Sequence, residues 1–139
     1  MGQIARGSSV YLDANVLIRM TEGQPDERAA LGQTLSNYVD AAAVFVTSEL
    51  SFTEVLVHPL RLKNTALIER YQRLMTEFVT PLRVSREVLL TAAKLRAEIT
   101  ALRTPDAIHV ATALLCEASV FLTGDRGIKP VAALVVEHV

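Results

Sequence analysis

The sequence predicts an α/β fold in which one parallel sheet is covered by helices on both faces. Five short apolar runs alternate with longer segments of helical period, and most runs are continuously apolar, as in strands covered on both sides. The strands are predicted at residues 10–13, 44–47, 82–85, 120–123 and 134–137. The 139 residues contain no evident repeat, linker or low-complexity segment, so we expect one domain over residues 1–139.

The segments between the predicted strands have the spacing of helices. A first helix is expected after Asp13, and a second over residues 26–39. Apolar residues repeat at intervals of three and four in three further segments, which predicts helices at residues 67–78, 88–102 and 107–114.

Composition narrows the class of protein. Hydrophobic residues make up 50% and charged residues 21% of the chain, which is typical of a globular protein and not of a disordered one. The chain has no apolar stretch long enough to span a membrane and no signal peptide. Its single cysteine, Cys116, cannot form an internal disulfide, which suits a reducing compartment. Together these features predict a cytoplasmic protein without a membrane partner.

Four acidic residues stand where a catalytic site is expected. Sites in parallel sheets form at the carboxyl ends of strands, and Asp13 and Asp125 follow two of the predicted strands. Glu54 lies on an apolar helix face, and Asp106 opens a helix after Pro105. Carboxylates that converge repel one another unless a cation lies between them. Oxygen ligands favour Mg²⁺ or Mn²⁺ over zinc, for which the chain has no Cys/His cluster.

Each acid also has a local structural explanation. Asp13 is suited to cap the helix that follows it, and Glu54 completes a capping-box pattern with Ser51. Asp106 is a first-turn acid that the helix dipole favours, and Asp125 has the surroundings of a turn residue. Only the four acids together favour a shared site.

At these residues the sequence resembles the PIN-domain family, and most closely its VapC-like toxin ribonucleases. VYLDANVLI resembles the opening strand with the first acid, Asp13, and the polar residue Asn15 beside it. SELSFTEVLVHPLR resembles the helix that carries the second acid, Glu54, and RTPDAIHVATAL resembles the segment with the third, Asp106. Each motif is short, and it is the ordered set that is specific.

The fourth motif, FLTGDRGIK, carries Asp125 as its acid and Thr123 as an auxiliary polar group. It departs from the family pattern, because Gly124 stands where an asparagine or a second acid is common. The resemblance spans nearly the whole chain and implies a three-layer fold whose five-stranded sheet has the order 3-2-1-4-5. In that order the first and fourth strands are neighbours, so Asp13 and Asp125 flank the point where strand order reverses.

The resemblance implies a Mg²⁺- or Mn²⁺-dependent endoribonuclease, the toxin of a toxin–antitoxin pair. Asp13, Asp106 and Asp125 are the expected metal ligands, and Glu54 ligates through water or orients the attacking water. The implied partners are an RNA substrate such as tRNA or rRNA, a cognate antitoxin and a second copy of the chain.

Charge distribution is compatible with an RNA substrate. Without the four acids, the formal net charge of −1 becomes +3. Arg126 and Lys129 follow Asp125 closely and are the best candidates for phosphate contacts. Other basic residues that could rim the cleft are Arg19, Arg61, Lys63, Arg70 and Arg73.

Other interpretations stay open. The chain has three histidines, and His109 lies one turn from Asp106, which suggests metal-free acid–base cleavage; a histidine beside a helix face is more often structural. A phosphatase would need a second acid at Asn15. A housekeeping PIN nuclease of RNA processing and a non-catalytic PIN-fold binding module are further alternatives.

Overall fold

A five-stranded parallel sheet forms the centre of the protein in the computed structural model, which describes residues 4–139. The strands are β1 (Ser9–Leu12), β2 (Val44–Ser48), β3 (Thr80–Leu82), β4 (Val120–Thr123) and β5 (Val136–His138). They lie in the order β3-β2-β1-β4-β5, and every neighbouring pair is parallel. The predicted fold class and strand order are confirmed.

Six α-helices lie between β1 and β4 within residues 4–139, two after each of the first three strands. They are α1 (Ala14–Glu22), α2 (Pro25–Asp40), α3 (Leu50–Arg61), α4 (Thr65–Arg73), α5 (Arg86–Glu98) and α6 (Thr104–Leu115). A π-helical turn, Leu74–Phe78, continues α4. Among these helices none has the length and apolar character needed to cross a membrane.

The two faces of the sheet are buried against different helices. Val10 and Leu12 of β1 belong to one hydrophobic core, while Tyr11 between them belongs to the other, as the alternation along a strand requires. The first core includes buried residues of α1 to α4, and the second includes buried residues of α5 and α6. A strand covered on both faces needs apolar residues at successive positions, which explains its continuous apolar sequence.

The arrangement of β1 and β4 creates the crevice of the fold. Tyr11 pairs with Phe121 and Leu12 with Leu122, so the two strands end at the same edge of the sheet. The amide of Asp13 still donates to the carbonyl of Leu122 at 3.0 Å, which holds the start of α1 against the end of β4. The chain then leaves β1 and β4 toward opposite sides of the sheet, and this divergence opens a site between them.

Two predicted strands are displaced in the structure. The third was predicted at residues 82–85, but β3 pairs Thr80, Pro81 and Leu82 with β2. β3 contains Pro81, and its missing amide donor is tolerated because β3 is an edge strand. Ser85 instead caps α5 by accepting from the amide of Val88 at 3.2 Å.

The fifth strand was predicted at residues 134–137 and begins at Val136. Leu134 is buried, as expected, but it lies in a turn, where its own amide donates to the carbonyl of Val131 at 2.9 Å. An apolar residue in a buried turn has the same sequence signal as one in a strand, and this accounts for the early start.

Candidate active site

Asp13 lies at the centre of the crevice, directly after β1, and is only 4% exposed. Its Oδ1 accepts from the amide of Ala14 at 2.9 Å, so the predicted capping role is real. Its Oδ2 accepts from the Thr123 hydroxyl at 2.8 Å and from the Asn15 amide at 3.1 Å. Burial raises the pKa of Asp13, against the lowering effect of nearby His109 and of these hydrogen bonds.

Asn15 and Thr123 join the first acid to the fourth motif. The Asn15 Oδ1 accepts from the amide of Gly124 at 2.7 Å, and the Thr123 Oγ1 accepts from the amide of Asp125 at 3.0 Å. Asn15 and Thr123 therefore each form one hydrogen bond to Asp13 and another to the backbone that follows β4. The two residues predicted as auxiliary groups lie next to Asp13 and Asp125, respectively.

Glu54 of α3 meets Asp13 through a histidine. Its Oε1 lies 2.5 Å from Nε2 of His109, and the same Nε2 lies 3.7 Å from Oδ1 of Asp13. The capping-box alternative for Glu54 is wrong, because the Ser51 hydroxyl is hydrogen-bonded to the Thr47 hydroxyl instead, at 2.8 Å. Glu54 is thus directed at the crevice and not at the start of its own helix.

His109 is 1% exposed and has hydrogen-bonding partners on both ring nitrogens. Its Nδ1 lies 2.6 Å from the Tyr11 hydroxyl, and its Nε2 pairs with Glu54. Burial lowers the pKa of His109, but the hydrogen bond to Glu54 and the charges of Asp13 and Asp106 hold that pKa above its ordinary value. His109 therefore holds a proton more tightly than a free histidine does, beside the carboxylates of Asp13 and Glu54.

Tyr11 is a member of the site that the sequence does not reveal. It is fully buried and stacks on Phe121 of β4 with ring centroids 5.0 Å apart. Burial raises the pKa of its hydroxyl, and the charge of Asp13 adds to this. A tyrosine in the middle of an apolar strand was the only available signal, since its hydroxyl must find a partner when buried. Tyr11, His109, Glu54 and Asp13 are hereafter called the closed half of the site.

Asp106 and Asp125 lie on the other side, where both border an open cavity of about 510 Å³. Asp106 is in the first turn of α6, and its Oδ2 lies 3.5 Å from Nε of Arg103. Asp125 accepts from the amide of Gly127 at 2.8 Å, so its predicted turn role is also real. These two acids and the cavity are hereafter called the open half. Other residues that line it include Leu102, Arg103, Ile128, Lys129 and Val131.

The two predicted RNA contacts differ in their surroundings. Lys129 lines the cavity of the open half, where its ammonium donates to the carbonyl of Arg126 at 3.1 Å. Arg126 itself is exposed beside Asp125. Arg126 and Lys129 therefore both lie near Asp125, and Lys129 also lines the cavity that Asp106 borders.

The donor set is that of a hard divalent cation, with carboxylates, an amide and a hydroxyl gathered at one edge of the sheet. Within residues 4–139, however, no three acidic, histidine or cysteine side chains converge closely enough to hold an ion. In the closed half Asp13 and Glu54 both lie near His109, whereas Asp106 and Asp125 face the cavity. The donor chemistry fits Mg²⁺ or Mn²⁺, and the two halves are adjacent but separate.

Comparison with known proteins gives a consistent picture. Solved structures similar to this chain include VapBC2 from Rickettsia felis bound to a DNA fragment from its promoter, with 14% identity and a TM-score of 0.76. That match covers 94% of this chain and 98% of the other. FitAcB from Neisseria gonorrhoeae is 17% identical over 91% of this chain and 95% of its own, with a TM-score of 0.67.

A toxin–antitoxin complex from Klebsiella pneumoniae is 22% identical, covers 84% of this chain and 86% of its own, and has a TM-score of 0.59. No curated protein sequence matches the chain significantly. The PIN-domain profile matches residues 10–134, which include all four acids. The chain therefore belongs to the PIN-domain family.

Proposed function

We propose that the protein is a Mg²⁺- or Mn²⁺-dependent endoribonuclease that acts as the toxin of a toxin–antitoxin pair. PIN domains are generally nucleases. The observation that carries the proposal is the position of four acids around the ends of β1 and β4, with Asp13 buried and hydrogen-bonded at their centre. An acid buried at 4% exposure is costly for folding alone, which supports a functional reason for keeping it.

Asp13, Asp106 and Asp125 are the residues that would hold the metal. When bound, the ion would lower the pKa of a water molecule and offset negative charge on the phosphate. Asn15 and Thr123 orient Asp13 and the backbone at Asp125, so they set the distance between the two ligands. Glu54, held by His109, is positioned to orient the attacking water.

The burial of His109 disfavours the metal-free alternative. A histidine that cleaves RNA must reach the 2′-hydroxyl or the leaving oxygen, and His109 is 1% exposed with both ring nitrogens occupied. We assign it a positioning role through Glu54.

RNA is the proposed substrate because basic residues border the acids. Lys129 and Arg126 are suited to hold phosphates on either side of the bond that is cut, and structured RNA such as tRNA or rRNA is the substrate class. Arg126→Ala and Lys129→Ala should each weaken RNA binding and reduce its salt dependence by about one unit of slope.

The toxin role rests on the resemblance to VapC-like toxins and on the similar toxin–antitoxin complex from Klebsiella pneumoniae. We propose that a small antitoxin covers the crevice and that the toxin forms a homodimer. Expression of the chain alone should stop growth of the host cell, and Asp13→Asn should restore it. Harmless expression of a chain that cuts RNA in vitro would favour a housekeeping nuclease.

Analysis of the RNA ends tests the reaction itself. Purified protein with Mg²⁺ should leave a 5′-phosphate and a 3′-hydroxyl, because water attacks the phosphorus directly, and EDTA should abolish cleavage. A 2′,3′-cyclic phosphate formed in EDTA would instead establish the histidine mechanism. Binding of RNA without cleavage under all metal conditions would favour a non-catalytic binding module.

A further inference from the structure

The head of Arg19 lies against Gly124, the residue that follows β4. A Cβ atom at position 124 would lie 2.7 Å from Nη2 of Arg19 and 3.3 Å from Oδ1 of Asn15. A Cβ atom at position 23 would first meet the backbone carbonyl oxygen of Arg19, at 2.5 Å, so the backbone of α1 already explains Gly23. The guanidinium of Arg19 packs against Gly124.

The backbone does not explain the glycine at position 124. Within residues 4–139, Gly7 is the glycine with a positive φ, so Gly124 has a conformation that an alanine adopts without strain. What a side chain at position 124 would meet is the head of Arg19. The departure from the PIN pattern at this position therefore has a structural consequence, because it admits a guanidinium to the edge of the site.

The Arg19 head is available for a ligand. Arg19 follows Asn15 by four residues on α1, so both side chains lie on the same helix face. The arginine side chain is 28% exposed, and its Nε lies 4.0 Å from Glu27, a distance at which a partly exposed pair contributes little. Among residues 4–139 its guanidinium donates no hydrogen bond to a protein acceptor.

One side of Arg19 is better suited to a phosphate than the other. Away from the acids, Arg19 borders a cavity of about 530 Å³ together with Glu27 and Glu137, whose carboxylates would repel an anion. Toward Gly124 its Nη2 meets neutral backbone, whose amide donates to Oδ1 of Asn15. A phosphate would therefore approach along Gly124, where the carboxylate of the following residue, Asp125, already accepts from the amide of Gly127.

We infer that Arg19 binds an RNA phosphate beside the acids and that Gly124 is the residue that positions it. The inference rests on the proposed ribonuclease function, and it adds a phosphate contact on α1 to those expected after β4. Arginine suits this role because its planar head can donate two parallel hydrogen bonds to a phosphate.

A double-mutant cycle tests the inference through RNA binding. Fluorescence anisotropy with a labelled single-stranded RNA in EDTA, at several salt concentrations, gives the affinity and the salt slope without cleavage. Arg19→Ala should weaken binding by about tenfold and lower the slope by about 0.7, the value for one phosphate on a single strand. Gly124→Ala should change both in the same direction, since its methyl group displaces the guanidinium.

The combination Arg19→Ala/Gly124→Ala should bind no more weakly than Arg19→Ala alone, because both changes remove one contact. Arg28→Ala and Gly32→Ala on α2 are the matched controls; a Cβ at position 32 would meet no atom within 4 Å. Arg19→Lys keeps the charge and should retain most of the slope. Thermal melts establish that each variant is folded. If Arg19→Ala is not folded, Arg19→Gln takes its place.

Two results would overturn the inference: an unchanged slope in folded Arg19→Ala and Arg19→Gln, or losses from Arg19 and Gly124 that simply add. Neither outcome is confused with failure of the proposed function. That failure would appear as an unmodified chain that does not cut RNA with Mg²⁺, whereas the binding cycle is measured in EDTA.

Discussion

The closed and open halves of the site are built in different ways. In the closed half, Asp13 and His109 are almost fully buried, and a chain of hydrogen bonds joins Tyr11 to Glu54. In the open half, Asp106 and Asp125 face a cavity and are held by contacts to Arg103 and to the amide of Gly127. Removal of one partner is expensive in a buried network and cheap at an exposed turn. The closed half should therefore govern stability as well as activity, and the open half activity alone.

The largest expected effect belongs to Asp13, which is buried at the centre of the crevice. Asp13→Asn keeps the shape of the side chain and one acceptor for the amide of Ala14 but removes the central charge. RNA cleavage should fall on the order of a hundredfold or more. Asp40→Asn at the exposed end of α2 is the matched control and should leave the rate unchanged. Comparable activity in both variants would exclude Asp13 from the site.

The next effect is on stability and concerns Tyr11. Tyr11→Phe removes the hydroxyl and leaves Nδ1 of His109 buried without its partner. The free energy of unfolding in urea should fall by about 1–3 kcal/mol. Tyr38→Phe is the matched control, because the Tyr38 hydroxyl bonds to the partly buried Glu137 and its loss should cost less. Equal losses would mean that the closed half is no tighter than the rest of the chain.

The raised pKa values predict how the stability of the metal-free protein depends on pH. Asp13 and His109 both bind a proton more tightly in the folded state than in the unfolded state. Their contribution to the free energy of unfolding is therefore complete below their ordinary pKa values. It is lost as the pH rises through their raised pKa values in the folded protein. For His109 that loss lies above its ordinary value of 6.5. Urea unfolding in EDTA should therefore show falling stability above about pH 6.5.

Glu54→Gln sharpens this test. The charge of Glu54 and its hydrogen bond both raise the pKa of His109, and the substitution removes the first and weakens the second. The decline in stability should therefore become shallower and shift to lower pH. Stability that rises across the same range in the unmodified chain would contradict the raised pKa of His109.

The smallest expected effect is on the stability of the open half. Asp125→Asn retains an oxygen that can accept from the amide of Gly127, so the free energy of unfolding should change by less than about 0.5 kcal/mol. Cleavage should still fall steeply if Asp125 is a ligand. A normal rate in a stable variant would reduce Asp125 to its turn role.

The same contrast separates what the sequence could predict from what it could not. Apolar runs and the four motifs were sufficient for the sheet, its strand order and the edge at which Asp13 and Asp125 lie. Local roles were also predictable, because a cap or a turn depends on adjacent residues: Asp13 caps α1 and Asp125 accepts a hydrogen bond in its turn.

Long-range partners were not predictable. Tyr11 and His109 are 98 positions apart, and a single sequence offers no sign that a strand hydroxyl and a helix imidazole will meet. The contact of Arg19 with Gly124 has the same character, since a missing side chain has meaning only once its neighbour is known. The bounds of β3 also depend on a distant partner, because Thr80, Pro81 and Leu82 form a strand by pairing with β2 at the edge of the sheet.

The central claim is that the two halves act as one divalent-cation site, and thermal melts with and without Mg²⁺ test it most directly. A ligand that binds only the folded protein raises the melting temperature. Mg²⁺ should raise that of the unmodified protein, and Asp13→Asn, Asp106→Asn and Asp125→Asn should each lose most of the rise, although only Asp13 belongs to the closed half. A full Mg²⁺ response in all three variants would contradict the account.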